Sequence, residues 1–281
     1  MFQLYPIIHT MNLSFTNLAG WATEYKYIGF ENFRNLLQNE IFINSLKNTA
    51  IIWSINFIPQ LGLALILASW FTDLKLNVKG QGIYKVLFYL PSIITAASVA
   101  IVFGSLLRYP EGPINTILVA TGILEAPFEF FRSKNVARVI VAFIQFWMFY
   151  GSTLIILMAA ILGINPALFE AAMIDGANNR KIFTKITLPL IKPIMLYMLV
   201  TSLIGGLQMF DIPFLITDGR GGPDNAIGTI AIFIYNQAFT GGRNFGVSAA
   251  ASMILLAIAV FFSVLLFGLF QDKKEKQEGT R

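Results

Sequence analysis

The chain has 281 residues, of which 56% are hydrophobic and only 12% are charged, with a formal net charge of +5 and a mean hydropathy of +0.68. A soluble domain carries about 25% charged residues, so the composition excludes that class and indicates a polytopic membrane protein. Cysteine is absent and histidine occurs once, at His9, which excludes disulfides, thiolate chemistry and a histidine-rich metal site.

The predicted fold class is an all-α, polytopic membrane protein. A spanning helix needs about 20 apolar residues, and an open sheet would leave backbone groups unpaired in lipid. We therefore expect one transmembrane domain over residues 1–281, with six spans at 2–18, 47–71, 83–107, 137–162, 190–216 and 247–270. The first run is the weakest, because polar residues interrupt it, and its first turns are expected to be missing from this chain.

Lysine and arginine fall unevenly between the loops. Eleven of the 20 basic residues lie after the second and fourth runs and in the C-terminal tail. Because basic loops remain on the cytoplasmic side, we expect both termini and the loop 163–189 to be cytoplasmic. A nucleic-acid-binding role is excluded, since the chain has no room for a soluble domain to perform it.

The loop 163–189 contains the signals of a helical hairpin. Asn165 can cap a helix that begins at Pro166, and Gly176 can adopt the left-handed turn that ends it. A second short helix is expected from about Asn178 to Thr187, stopping near Pro189. On these features alone, an amphipathic hairpin lying on the lipid headgroups remains an alternative.

The spacing within this loop is that of a known family. Residues Glu170 to Pro189 reproduce the pattern E-A-A-x3-G-x9-I-x-L-P without a gap. This resembles the cytoplasmic loop of the inner-membrane permease subunits of binding-protein-dependent ABC importers. The segments IDGA (174–177), LPLIKP (188–193), GGP (221–223), IYNQAF (234–239) and FGVSAAAS (245–252) are similar to the carbohydrate branch, and within it to the F type of the paired permeases.

The resemblance implies partners and a division of labour. The chain would form a heterodimer with a second permease in the bacterial or archaeal inner membrane, above two ATPase subunits and beneath an extracytoplasmic solute-binding protein. The outer loops 108–136 and 219–246 would meet that binding protein. The coupling helix pair would contact an ATPase subunit through a set of exposed loop residues, namely Glu170, Ala171, Ala172, Asp175, Gly176 and Arg180.

Catalysis is expected to lie on the partners. The chain lacks the sequence G-x-x-x-x-G-K-[ST] that cradles phosphates, so ATP and Mg²⁺ would bind the ATPase subunits. No catalytic residue, metal ligand or cofactor is predicted for this chain.

A sugar path is expected on the fourth and fifth spans. Polar, aromatic and small residues recur there at helical spacing, namely Gln145, Trp147, Phe149 and Ser152 on span four, and Thr201, Gly205 and Gln208 on span five. Aromatic rings and neutral donors or acceptors suit a sugar. Asp211, toward the outer end of span five, is placed to bind a hydroxyl, cap the helix or contact water. Helix packing is the alternative for each position, and it is favoured for Asn48, Asn56 and Gln60 of span two.

The function predicted is that of a permease subunit of an ATP-driven sugar importer. No lysine or arginine occupies the middle of a span, which favours a neutral sugar over an anion, although a polyol, an oligosaccharide or glycerol phosphate remains an alternative cargo. An ion-coupled secondary transporter would carry a midplane Asp, Glu or His, and none is found. A membrane scaffold or receptor would not need the hairpin spacing.

Overall fold

The computed structural model describes residues 4–21, 24–73, 80–241 and 243–270, and its regular structure is helical. An isolated antiparallel bridge joins Thr16 to Tyr27. In chain order the helices are α1 (Leu4–Ser14), α2 (Glu31–Gln38), α3 (Glu40–Phe71), α4 (Gln81–Tyr89), α5 (Ala96–Leu106), α6 (Pro113–Ala120), α7 (Lys134–Leu162), α8 (Pro166–Ile174), α9 (Asn179–Ile182), α10 (Leu188–Leu207), α11 (Asp211–Ile216), α12 (Ile230–Phe239) and α13 (Phe245–Phe270). Leu90–Ile93 and Pro223–Asn225 form 3-10 turns, and Phe183–Thr187 form a π-helical turn.

Within the described residues, four helical segments are long and apolar enough to cross a membrane. They are Glu40–Phe71, Lys134–Leu162, Asn179–Ile216 and Phe245–Phe270. The run predicted at 2–18 yields α1 of 11 residues, which by itself is shorter than a spanning helix. Residues 1–3 and the tail 271–281 lie outside the described residues.

The run predicted at 83–107 is not a straight helix. Gln81–Ile93 and Ala96–Leu106 meet at an angle of 90°, and they supply a fifth crossing if the bent pair is one span. Pro91 lacks the N–H that an α-helix needs, and the chain is extended at Ile94 and Thr95. The Thr95 hydroxyl then accepts a hydrogen bond from the Ser98 N–H at 3.3 Å and starts α5.

The chain divides into two compact units. Unit one comprises Met1–Ile55, Thr95–Ile144 and Ile204–Phe261, and unit two comprises Asn56–Ile94, Gln145–Leu203 and Phe262–Arg281. The core of unit one contains Leu36, Phe42, Ile230, Phe233, Ala250 and Ala251. The core of unit two contains Ala64, Ala68, Leu154, Leu157, Met158, Ile161, Ile191 and Met198.

A buried polar cluster holds the loop before α12 against two helices of unit one. The Asn48 amide nitrogen donates to the carbonyl oxygens of Asn225 and Gly228 at 2.6 and 3.2 Å. The Asn48 Oδ1 accepts from Arg138 Nη2 at 2.7 Å, and Arg138 Nε donates to the Ala226 carbonyl at 3.1 Å. Asn48 therefore has the packing role that its position in span two predicts.

The other two amides for which a packing role is predicted, Asn56 and Gln60, differ from each other. Gln60 Nε2 donates to Thr153 Oγ1 at 2.7 Å within unit two, so it joins α3 to α7 as expected of a packing residue. Asn56 is buried as well, but its Oδ1 has no hydrogen-bond partner in the part of the chain that the structure describes.

We expect Asn48→Ala to destabilise the protein by about 2 kcal/mol, because it leaves two buried carbonyls and a guanidinium with one partner fewer. Thermal unfolding of the purified protein in detergent would measure this loss. Asn44→Ala is the matched control, since Asn44 is an exposed asparagine one turn away on the same helix. Equal midpoints for the two variants would contradict the structural role of Asn48.

Candidate functional site

The hairpin between α7 and α10 begins as its sequence predicts. Asn165 Oδ1 accepts a hydrogen bond from the Ala167 N–H at 3.0 Å, and Pro166 occupies the first position of α8. At the other end, the N–H groups of Gly176 and Ala177 bond to the carbonyls of Met173 and Ala172 at 3.1 and 2.9 Å. This pair of backbone hydrogen bonds, together with the φ of +76° at Gly176, is the Schellman motif that ends a helix. Both ends of α8 are therefore fixed by local bonds.

The second half of the hairpin corrects the prediction of a short helix that ends near Pro189. Asn178 Oδ1 accepts from the Lys181 N–H at 2.9 Å, and α9 begins at Asn179. The chain then passes through the π turn at 183–187 directly into α10, without a stop at Pro189. A proline ring normally collides with the carbonyl four residues earlier, and the wider π turn relieves that collision at Lys185.

The predicted coupling residues of the hairpin are mostly exposed. Five of the six are exposed, and only Ala172 is half-buried; the exposed ones are Glu170, Ala171, Asp175, Gly176 and Arg180. Sequence reasoning missed Ile174, which is 86% exposed on the same helix. Its position four residues after Glu170 is the signal that places it on the outer face.

The inner side of the hairpin faces the end of α3 in unit two. Asn179 Nδ2 donates to Asp73 Oδ2 at 2.8 Å, so a side-chain hydrogen bond joins the hairpin to the chain two residues beyond α3. Between them lies a cavity of about 450 Å³, which we call the hairpin cavity. Phe169 and Met173, two half-buried residues of α8, line it.

The predicted path residues of α7 lie along two turns of one helix. Phe149 is 44% exposed, while Gln145, Trp147 and Ser152 are half-buried. The Ser152 hydroxyl donates to the Phe149 carbonyl at 2.8 Å, which leaves its oxygen available as an acceptor.

The predicted path residues near the end of α10 are all exposed. Thr201 and Gly205 lie on α10, Gln208 lies just beyond its end, and Asp211 begins α11 after a break at residues 208–210. The Thr201 hydroxyl donates to the Tyr197 carbonyl at 2.9 Å. An exposed stripe of hydroxyl, amide and carboxylate groups is poorly suited to contact with lipid.

Two buried glycines permit close contacts that the sequence alone does not reveal. A Cβ at Gly151 would collide with the carbonyl group of Phe88, because α4 touches the backbone of α7 there. A Cβ at Gly206 would run into the ring of Trp53. Small residues within apolar spans are the general signal for such contacts, but their partners cannot be read from spacing.

The described residues contain no group of three or more His, Asp or Glu side chains that could hold a metal ion. The candidate site consists of a surface hairpin and two polar helix faces.

Comparison with known proteins agrees with this reading. Residues 83–276 match the family described as binding-protein-dependent transport system inner membrane component. The chain is 30% identical over 274 residues to the lactose transport system permease protein LacF of Rhizobium radiobacter, covering 98% of this chain and 90% of LacF. It is 28% identical over 274 residues to the sn-glycerol-3-phosphate transport system permease protein UgpA of Agrobacterium fabrum, covering 97% and 90%.

A solved structure has the same fold over nearly the whole chain. It is a chain from the crystal structure of a bacterial alginate ABC transporter in complex with an alginate pentasaccharide-bound periplasmic protein. The TM-score is 0.77 and the identity 26%, covering 96% of this chain and 88% of that one. The family predicted from the hairpin is thereby confirmed. The chain belongs to the inner-membrane permease components of binding-protein-dependent transport systems, as a multi-pass protein related to carbohydrate ABC permeases.

Proposed function

We propose that this chain is one of two permease subunits of an ATP-driven sugar importer. The observation that carries the proposal is the hairpin, whose exposed face, fixed caps and continuity with α10 suit a surface that receives motion from a partner. The relatives support the cargo, since one of them is a lactose permease and the solved neighbour belongs to an alginate transporter.

The hairpin would dock into an ATPase subunit. Ile174 presents an apolar side chain beside the carboxylates of Glu170 and Asp175, and Ala171 leaves room for close approach. ATP and Mg²⁺ would be bound by that partner, because this chain lacks a phosphate-binding loop sequence. Rigid-body movement of the ATPase subunits would then shift α10 and change which side of the membrane has access to the path.

The topology completes the proposal. Six spans, with the segment that contains α1 as the first and the bent pair α4–α5 as the third, would place the hairpin and both termini in the cytoplasm. The outer loops 108–136 and 219–246 would receive an extracytoplasmic solute-binding protein.

The path would be built from the half-buried and exposed polar positions already described. On α7 these are Gln145, Trp147, Phe149 and Ser152, and on and after α10 they are Thr201, Gly205, Gln208 and Asp211. Hydroxyl and amide groups can exchange hydrogen bonds with a sugar, while the ring of Phe149 can stack on its apolar face.

Glycerol phosphate is the second candidate cargo, favoured by the likeness to UgpA. A phosphate would need a cation in the path. Arg138 of α7 is the nearest basic residue before Gln145 on that helix, and its guanidinium is already bonded to Asn48 and Ala226. This arrangement favours a neutral sugar.

The chain has no cysteine, so a single introduced cysteine tests the hairpin directly. In the assembled complex, Ala171→Cys on the outer face is expected to cross-link to the ATPase subunit. Met173→Cys, on the inner face of the same helix, is the matched control and should not. Failure of Ala171→Cys to capture the ATPase subunit would contradict the proposed docking.

Cargo is tested by ATP hydrolysis of the reconstituted complex. The cognate binding protein loaded with a neutral sugar is expected to stimulate hydrolysis, whereas the same protein offered glycerol phosphate is not. Stimulation by glycerol phosphate alone would replace the sugar assignment without affecting the family.

A further inference from the structure

The hairpin cavity lies where the apolar helices of unit two end and the polar hairpin begins, and its lining contains two chemical classes of side chain, which we call its apolar half and its polar half. The apolar half is aliphatic and aromatic and includes Ile66, Trp70, Leu162, Phe169 and Phe183. The polar half includes Ser69, Thr72, Asp73, Asn179 and Arg180. The cavity therefore matches an amphiphile better than a purely apolar or a purely polar ligand, and its volume is that of a small-molecule site.

The apolar half opens onto the surface of the spanning helices. Ile66 of α3 is 50% exposed, Trp70 is 57% exposed, and Leu162 at the end of α7 is 64% exposed. These side chains lie at the ends of helices long enough to span a membrane, so in a bilayer they would face lipid at the boundary with water, where tryptophan is typically found. An occupant can thus enter sideways from the bilayer.

The polar half carries a cation without an acidic partner. No acidic side chain of the described residues lies within salt-bridge distance of Arg180. The salt bridge found among the described residues joins Lys134 to Asp224, which lie away from the cavity. Asp73, the acid of the cavity wall, accepts a hydrogen bond from Asn179. The surrounding hairpin is net basic, because Arg180, Lys181 and Lys185 outnumber Glu170 and Asp175.

We propose that the hairpin cavity binds an anionic glycerophospholipid of the phosphatidylglycerol type. The phosphate would pair with Arg180, the glycerol hydroxyls would donate to Asp73 and Ser69, and an acyl chain would lie against Ile66, Trp70 and Leu162. Basic pockets at the cytoplasmic ends of membrane helices are known to hold acidic headgroups. This site is separate from the outer face of α8 and holds for any cargo of the transporter.

The position of the cavity gives the lipid a structural effect. Its wall includes Phe169 and Met173 of α8, residues of α9, and the end of α3. A lipid seated there would brace the hairpin against α3 beside the Asn179–Asp73 hydrogen bond. Phosphatidylglycerol is therefore expected to raise the thermal stability of the complex more than phosphatidylcholine does.

The test is lipid binding to the delipidated complex, measured by native mass spectrometry during titration with phosphatidylglycerol or phosphatidylcholine. Arg180→Gln is expected to weaken phosphatidylglycerol binding about tenfold, since it removes a charge-assisted bond. Lys185→Gln is the matched control, because it removes the same charge from the hairpin at an exposed residue that does not line the cavity. It should change binding by less than about twofold.

A second variant tests the cavity itself. Ser69→Phe fills the space from α3 and is expected to abolish retention of both lipids, with an unfolding midpoint in lipid-free detergent equal to that of the unmodified complex. Equal binding of the two lipids, or equal losses in Arg180→Gln and Lys185→Gln, would overturn the headgroup site. Unchanged retention in Ser69→Phe would show that the lipid lies elsewhere and would also overturn the proposal.

Discussion

Gly151→Val is expected to prevent this protein from reaching its folded state. The added Cβ would coincide with the Phe88 carbonyl group, and backbone atoms cannot move aside as a flexible side chain can. Forcing α4 and α7 apart would also disturb the contact between Phe88 and Tyr150, whose rings are 5.9 Å apart. Overpacking of this kind costs about 3 kcal/mol or more.

The measurement is the yield and the thermal unfolding midpoint of the purified protein in detergent. Gly62→Val provides the matched control, because Gly62 lies inside α3 and a Cβ there meets nothing within 4 Å. Both variants introduce the same β-branched residue into a helix, so their propensity effects are alike. Comparable yields and midpoints would mean that the helices do not touch at Gly151.

Gly176→Trp is expected to reduce ATP-driven transport by at least about tenfold while the protein still inserts and folds. A Cβ at Gly176 meets nothing within 4 Å, so this chain has room for the ring. The left-handed backbone costs a side chain only about 1–2 kcal/mol. The larger effect comes from steric exclusion of the ATPase subunit, since each loss of about 1.4 kcal/mol in docking weakens the affinity tenfold.

Two milder variants separate the backbone from the side chain. Asparagine tolerates the left-handed conformation and is small, so Gly176→Asn should transport nearly normally. Gly176→Ala adds backbone strain without bulk and should fall between the two. Transport is measured as uptake into proteoliposomes, with the amount of assembled complex determined on the same samples. Normal uptake by Gly176→Trp would refute contact between this turn and the ATPase subunit.

Much of the fold could be predicted because its signals are local or continuous. The runs at 47–71, 137–162 and 247–270 appear as α3, α7 and α13, although α3 begins earlier, at Glu40. There Asn39 Oδ1 accepts from the Phe42 N–H at 3.0 Å and extends the helix beyond its apolar part. The caps at Asn165 and Gly176 were also predictable, since each depends on bonds within a few residues.

The remaining features depend on structure that a hydropathy pattern does not contain. The run 83–107 is apolar on average, and its hydropathy alone does not distinguish a straight helix from one bent by 90° after Pro91. The passage of the chain through Pro189 depends on the π turn before it. At the candidate site, exposure of Ile174 and burial at Gly151 and Gly206 follow from which helix crosses which, and that information is not local.

The two ends of the hairpin are attached to the spans in different ways. Past Asn178 the backbone winds without interruption from α9 through the π turn into α10, whereas α8 is separated from α7 by a non-helical link at residues 163–165. A displacement applied near Arg180 would therefore pass directly into α10 and shift or rotate that helix along its axis. A displacement near Glu170 would reach α7 only through this non-helical link, so the two ends of the hairpin transmit motion differently.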